Sequence, residues 1–400
     1  MKFLRLIATC DPRSGGPIAG LLNSSLALER MGHETEIATL DAPDEPWISE
    51  LPFKVIPLGP HIRPYGYTPR LTPWLRAHAH QYDLAVVHGI WNYISVGSWR
   101  ALAQHKTPYV VFTHGSLDPW HKKFYPVKHN VKQAFWSLLE GRVLTAAERV
   151  LFTTEEEQTL AAQAFRGHGH YRSEVIAYGT TDVSGEADRQ IADFRAAAGL
   201  GADEPYVLFL SRIHPKKGVD ALIKAFASTA PDDMHLVIAG PDQIGWQAEL
   251  EALCNTLGLQ GRIHWPGMIG GDVKWGAYRG ATAFALPSHG ENFGIVVAEA
   301  LACGRPVLIT EQVNIWREVE SAGAGLVAPT PDAFATTMGG FFRSSDAERN
   351  AMGLRARDLF LSRFEIGRSA RDIERVAARA GGAAMVGSPQ KSTCGAQSAL

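Results

Sequence analysis

The sequence predicts an α/β protein built from two doubly wound, parallel-sheet domains in tandem, each with helices on both faces of its sheet. Three observations carry that expectation. The chain has 400 residues, more than a single hydrophobic core commonly spans. Apolar runs of strand length alternate with helical patterns from the first residues onward, as successive strand–helix units do. The alternation lapses over the polar stretch T-T-D-V-S-G-E-A-D-R and then restarts. The implied divisions are a first domain over 1–185, a second over 186–365, a closing helix over 366–380 and a disordered tail over 381–400.

In the first half, strands are expected near 3–9, 35–40, 53–58, 83–88, 109–113, 149–153 and 174–178. Helices fall near 17–31, 70–80, 93–105, 128–146 and 155–165. The second half opens with strand 206–211 and helix 218–229, then strand 235–239, helix 246–257, strand 262–265 and helix 272–279. Strand 282–286, a helix opening near Phe293, strand 306–309, helix 313–320 and strand 325–328 follow, with a helical pattern from Phe334 to about Ala380. Ligands of such sheets bind at the carboxyl ends of the strands, and two facing domains make a cleft there.

Composition excludes several classes. A formal charge of −2 gives no global field for nucleic acid. Cys10, Cys254, Cys303 and Cys394 have no zinc-like spacing and fit the reduced thiols of a cytoplasmic protein. The opening M-K-F-L-R-L-I-A-T-C-D is broken by Arg5 and ended by Asp11, so it reads as a strand rather than a signal peptide. No uncharged run reaches the roughly 18 residues of a membrane span, which leaves peripheral membrane contact alone open.

The organising stretch is A-L-P-S-H-G-E-N-F-G-I-V-V-A-E-A-L-A-C-G-R-P-V-L-I, from Ala285 to Ile309. Between Phe293 and Gly304 its only charge is Glu299, on a helix apolar all round and therefore buried. A buried carboxylate needs hydrogen-bond donors, and sugar or ribose hydroxyls would serve. Glu291 precedes the same helix, whose first amides at Phe293, Gly294 and Ile295 favour an anion. Phosphate on the amides and hydroxyls on the two acids describe a nucleotide-sugar; a solvated loop acid and a core acid bonded to backbone are the plainer alternative.

Other loops join this one. D-P-R-S-G-G-P-I-A-G after the first strand lacks dinucleotide spacing, but Gly15 and Gly16 before Pro17 make a tight turn suited to phosphate or sugar, or an ordinary strand–helix turn. V-V-H-G-I-W-N and V-V-F-T-H-G-S-L-D-P-W end strands in His88 and His114, and Thr113 and Asp118 beside His114 favour it as the functional one. F-L-S-R-I-H-P-K-K-G sets Arg212 and Lys217 around a strand-to-helix loop, either a phosphate clamp or two solvated cations. Met268 and Ile269 occupy a Gly-rich turn able to pass along a flat base. From Trp120 to Trp136, Lys122, Lys123, Lys128 and Lys132 interleave with aromatics, suited to anionic lipid headgroups or to packing on their own domain.

Together the Gly15-Gly16 loop, T-H-G at 113–115, S-R-I-H-P-K-K-G at 211–218, the P-G-M turn and E-N-F-G-I-V-V-A-E at 291–299 resemble glycosyltransferase family 4 over about residues 5–365, in the family's order. That family comprises retaining enzymes of the GT-B fold. The resemblance implies that Arg212 and Lys217 hold the donor diphosphate, Glu291 the transferred sugar and Glu299 the ribose hydroxyls. It further implies that Asn292, Phe293, Gly294 and Ile295 contact sugar and phosphate, that Met268 and Ile269 border the base, and that His114 sits against the sugar. Gly15 and Gly16 would lie under the diphosphate near the acceptor.

The segment S-L-D-P-W-H-K-K resembles members that build bacterial exopolysaccharide or lipopolysaccharide, implying a lipid-linked glycan acceptor. Asn292 stands where the family often has Gly or Pro. No Asp-x-Asp is present to hold a divalent ion, so neither metal nor cofactor is expected beyond a GDP- or UDP-hexose donor, GDP-mannose being preferred. An epimerase or hydrolase on the same fold, and a non-catalytic nucleotide-sugar-binding subunit, are the competing readings.

Overall fold

The computed structural model describes residues 1–103, 105, 107–119 and 126–386. It contains two all-parallel sheets in sequence. The first is built from β1 (Lys2–Ile7), β2 (Glu34–Thr39), β3 (Lys54–Pro57), β4 (Leu84–His88), β5 (Tyr109–Phe112), β6 (Arg149–Phe152) and β7 (Ser173–Val175), in the order β3-β2-β1-β4-β5-β6-β7. The second uses β8 (Tyr206–Leu210), β9 (His235–Ala239), β10 (Ile263–Gly267), β11 (Ala283–Leu286), β12 (Val307–Thr310) and β13 (Gly325–Ala328), in the order β10-β9-β8-β11-β12-β13. Strand order reverses between β1 and β4 in one sheet and between β8 and β11 in the other. Crevices of doubly wound sheets open at those reversals.

The strands are buried on both faces, which is why they read as continuous apolar runs rather than as alternation. Val207, Leu208 and Phe209 of β8 and Val307, Leu308 and Ile309 of β12 are wholly buried. The long helix Ile366–Val386 returns to the first domain: Asp372 accepts from the Ala177 amide (2.8 Å), Arg375 pairs with Glu174 (2.7 Å) and Glu374 lies 3.2 Å from His33. Asp182, in the connection between domains, is held by both terminal nitrogens of Arg357. Bonds also cross from one domain to the other, Arg317 to Glu156 (2.8 Å) and Asn292 to Thr153 (3.3 Å).

Three differences from the expected element order have local causes. A helix, Ala187–Ala198, fills part of the polar stretch at the domain boundary; its buried face is only Gln190, Phe194 and Ala198, too sparse to stand out as periodic. The expected helix 128–146 consists of Pro126–Phe135, a π-helical turn Trp136–Glu140 and Gly141–Ala146. The closing helix runs to Val386, so 381–386 is helical rather than tail; the remainder, 387–400, lies outside the described residues. Lys122 and Lys123, of the lysine–aromatic stretch, also lie outside them.

Candidate active site

The loop after β1 makes a short 3₁₀ turn, Pro12–Ser14, and Gly15 then turns with φ +87° so that a helix starts at Gly16. The Tyr178 hydroxyl donates to the Gly16 carbonyl (3.2 Å). Tyr178 also meets His114 at 6.2 Å and Phe293 edge-on at 5.0 Å between centroids. It therefore ties the first-domain glycine turn to the second-domain loop.

After β5, the T-H-G turn is held from below by a buried carboxylate. Glu157 Oε1 accepts from the Thr113 hydroxyl (2.8 Å) and the Gly115 amide (2.7 Å), and Oε2 from the Thr153 amide and hydroxyl (2.9 and 2.7 Å). Those bonds hold His114 at φ +48°, a backbone state that non-glycine residues seldom adopt. Its imidazole stacks on His88 at 5.2 Å, with 3.0 Å between His114 Nε2 and His88 Nδ1. Burial and the nearby Arg5 guanidinium push the His114 pKa down to about 3 and that of His88 well below its ordinary value, so both rings are neutral.

In the second domain, β8 ends at the loop 211–218. His214 caps the 3₁₀ turn Pro215–Lys217 by accepting from the Lys216 amide (3.1 Å). Gly218 follows with φ +70°, and a Cβ on it would lie 2.0 Å from the Pro287 carbonyl oxygen. The two loops at the strand reversal thus touch backbone to backbone, and only glycine fits. That approach delivers the buried Lys217 ammonium onto Glu291 Oε2. The Glu291 main chain is fixed in turn, its amide donating to Gln312 (2.8 Å) and its carbonyl accepting from Asn314 (3.0 Å).

Lys216 was not singled out by the sequence, yet it also belongs here. Its carbonyl accepts from the His289 amide (2.8 Å) and Ser288 hydroxyl (3.0 Å), and its Cε lies 3.1 Å from where a Gly290 Cβ would stand. Burial, then Lys217, push its pKa down, while Glu291 and Asp118, the latter across the cleft, oppose this. Arg212 is exposed at the rim and donates to Gln243 (3.2 Å).

The helix expected near Phe293 starts at Ile295, because Gly294 caps it at φ +76°. The leading amides of Ile295 and the residues before it face out of the helix end. Phe293 is buried between Tyr178 and Phe364, and Asn292 points at the first domain, packed on Gly115. Two turns along, Glu299 is buried as expected, but protein groups reach it. Lys274 donates to Oε1 (2.7 Å) and the buried Tyr278 hydroxyl to Oε2 (2.9 Å). Each oxygen keeps a further lone pair for a hydroxyl. Met268 is 80% exposed beyond β10, whereas Ile269 packs on the core, and the turn they occupy feeds the helix Gly271–Gly280 that carries Lys274.

The structure thus brings Lys217, Glu291, Asn292, Phe293, Gly16 and His114 into one connected group. Glu299 forms a second cluster with Lys274 and Tyr278, and Arg212 stands outside both. Glu157, Tyr178 and Lys216 were missed because their roles depend on partners remote in sequence; T-T-E-E-E at 153–157 showed only a helix start.

Residues 190–358 match the family model described as glycosyl transferases group 1, and residues 15–179 match the glycosyl transferase 4-like domain. The D-inositol 3-phosphate glycosyltransferase of Mycolicibacterium gilvum is 31% identical over 350 residues, 82% of this chain and 77% of that protein. Among solved structures, Anabaena HepE in complex with UDP and glucose is similar with a TM-score of 0.71 at 22% identity, over 95% of this chain and all of its own. Sucrose-phosphate synthase from Thermosynechococcus elongatus gives 0.75 at 21% identity over 96% of this chain and all of its own. Both share the two-domain fold. The matched segments cover both domains of this sequence, and the chain belongs to the glycosyl transferases group 1, glycosyltransferase family 4 with the GT-B fold: it is a glycosyltransferase.

Proposed function

We propose that the protein transfers a hexose from a nucleoside diphosphate sugar to a hydroxyl of a glycan acceptor, with retention at the anomeric carbon and without a metal ion. The observation that carries this reading is the meeting of Lys217, Lys216 and Glu291 at the strand reversal of the second sheet, opposite the His114 turn of the first. As the bond from the anomeric carbon to the diphosphate breaks, negative charge grows on the phosphates. Two lysines and the helix amides at Gly294 and Ile295 stabilise it, with Arg212 adding a third cation from the rim. Glu291 orients the sugar hydroxyls, Glu299 takes ribose hydroxyls, and Met268 and Ile269 border the base. Attack by the acceptor from the face the diphosphate leaves gives retention without a protein nucleophile.

The acceptor would enter a cavity of about 680 Å³ in the first domain, lined by Asp11, Arg13, Asp41, Trp47 and His61 beside the glycine turn. A lipid-linked glycan of the exopolysaccharide or lipopolysaccharide kind suits the helix Pro126–Phe135, whose Phe135 meets Tyr65 of the cavity wall edge-on at 5.4 Å. Val127 and Val131 on it are 77% and 62% exposed, an apolar stripe able to rest in a lipid surface. Among the described residues no helix is long and apolar enough to cross a membrane.

Incubation of the full chain with UDP-, GDP- and ADP-hexoses, with and without lipid-linked oligosaccharide and with chelator throughout, tests the proposal. Glycan product with retained anomeric configuration is expected. Free sugar, an epimer, or binding without turnover would replace it with the hydrolase, epimerase or binding-subunit reading.

A further inference from the structure

At the edge of the second domain opposite the sugar-binding loops, three metal-ligand side chains meet that the transferase reaction does not use. Glu204 lies in the turn before β8, His235 is the first residue of β9 and His264 the second of β10. One donor atom from each lies within 4.8 Å of the others. All three are at the amino ends of their strands, whereas donor-binding loops leave from the carboxyl ends.

The hydrogen bonds already prepare the donor atoms. His264 Nδ1–H donates to the Ala198 carbonyl (3.0 Å), which leaves the lone pair of its Nε2 facing His235 Nδ1 at 2.9 Å. A backbone carbonyl holding the far nitrogen of an imidazole is the support that metal-binding histidines receive elsewhere. Glu204 Oε2 stands 3.8 Å from His235 Nε2 and is oriented by the Gly201 amide (2.8 Å), while the His235 amide is fixed on the Pro205 carbonyl (2.9 Å). Arg195, the neighbouring cation, directs its guanidinium at the Gly201 and Glu204 carbonyls rather than at the carboxylate. Tetrahedral zinc with bonds of about 2.0–2.1 Å needs its donor atoms roughly 3.3 Å apart, so the 2.9 Å between His235 Nδ1 and His264 Nε2 would open slightly, while the Glu204 carboxylate, whose Oε2 now faces the other His235 nitrogen, would turn in from within 4.8 Å.

We propose that Glu204, His235 and His264 bind one divalent first-row transition-metal ion of the zinc type, with water completing the shell. Two imidazoles and a carboxylate suit that class over magnesium or calcium. On binding, the proton of His235 Nδ1 moves to its other nitrogen or to solvent. The ion would pin the end of helix Ala187–Ala198 and the turn 199–205 to the two outer strands, a brace remote from the sugar transfer.

The test is titration of chelator-stripped full-length protein with Zn2+ in competition with a chromophoric chelator, and with Co2+ read by its visible absorption. One equivalent is expected, with a rise in Tm and no sulfur-to-cobalt charge-transfer band, since no thiol participates. Glu204→Gln should weaken binding at least tenfold, and His235→Ala/His264→Ala should abolish that equivalent. Glu204→Gln alters a half-buried side chain at nearly constant volume and decides the matter if the histidine double variant does not fold. Absence of a stoichiometric ion in the unaltered chain, or unchanged affinity in Glu204→Gln, overturns the proposal.

Discussion

Lys217 and Glu291 are in direct contact, ammonium on carboxylate, although 74 positions separate them in the chain. Lys217 is buried at this contact, and Glu291 only partly so. Removing one partner from such a pair leaves an uncompensated charge, which costs about 3–5 kcal/mol in buried cases. Glu291→Ala should therefore lower Tm as well as activity. Lys217→Ala should lower kcat/KM by about 10²–10³, the loss seen when one preorganised donor to a developing anion is removed. Lys216→Met should raise the donor KM and weaken inhibition by free nucleoside diphosphate more than it lowers kcat. Steady-state kinetics alongside thermal unfolding separate these effects, and a Lys217→Ala enzyme with unaltered kcat/KM would remove the lysine from the reaction.

How far the sequence exposed this arrangement depends on the range of each interaction. Both sheets were legible because strands covered on two faces must be apolar throughout, as Val207–Phe209 and Val307–Ile309 are. Lys217 and Glu291 were legible because each closes a loop at a strand end. Glu157 was not, since its partners Thr113, Gly115 and Thr153 come from two loops that only the sheet brings together. The same holds for Glu299: its burial followed from the apolar helix, but Lys274 and Tyr278 come from another helix that no local pattern relates to it. Helix Ala187–Ala198 escaped notice because its few buried positions are outnumbered by charged and small residues.

The Asn292 amide spans the cleft to Thr153 (3.3 Å), and Gly115 packs so closely that a Cβ there would stand 2.8 Å from the Asn292 side chain. A neutral bond of this kind contributes about 1 kcal/mol, or roughly fivefold in an equilibrium between joined and separated domains. Asn292→Ala is expected to lower kcat/KM by about that factor. Gly115→Ala should do more harm, because it adds the clash to the strain of φ +72°. Combining it with Asn292→Gly relieves the clash and should restore part of the loss. Strictly additive losses across Gly115→Ala, Asn292→Gly and their combination would show that the two residues do not meet in the working enzyme.

Glu299 keeps acceptor lone pairs beside its bonds from Lys274 and Tyr278, and the proposed function gives them to ribose hydroxyls. A 2′-deoxyribose donor should then be a poorer substrate for the unaltered enzyme, while Glu299→Gln should reduce the preference for the ribose form. Glu299→Ala is expected to destabilise the fold by about 1–3 kcal/mol, since it leaves the buried Tyr278 hydroxyl without an acceptor. If the unaltered enzyme uses both donors equally well, Glu299 acts only as an anchor for the helix Gly271–Gly280.

Glu140, in the π-helical turn Trp136–Glu140, is wholly buried and accepts from the Trp91 amide and the Ser95 hydroxyl at 3.0 Å each. Burial outweighs those bonds and pushes its pKa from 4.5 up to about 7. The folded protein therefore holds a proton that the unfolded chain releases at lower pH. The stability this confers is complete below about pH 4.5, declines as pH rises and is gone above about 7. A shift of that size corresponds to a difference on the order of 3 kcal/mol between the two limits. Glu140→Gln keeps the acceptor oxygen and cannot ionise. Its advantage over the unaltered protein in denaturant unfolding should grow from pH 5 to pH 8 and then level off. A constant difference across that interval would mean that the carboxyl is already ionised within the fold at pH 5.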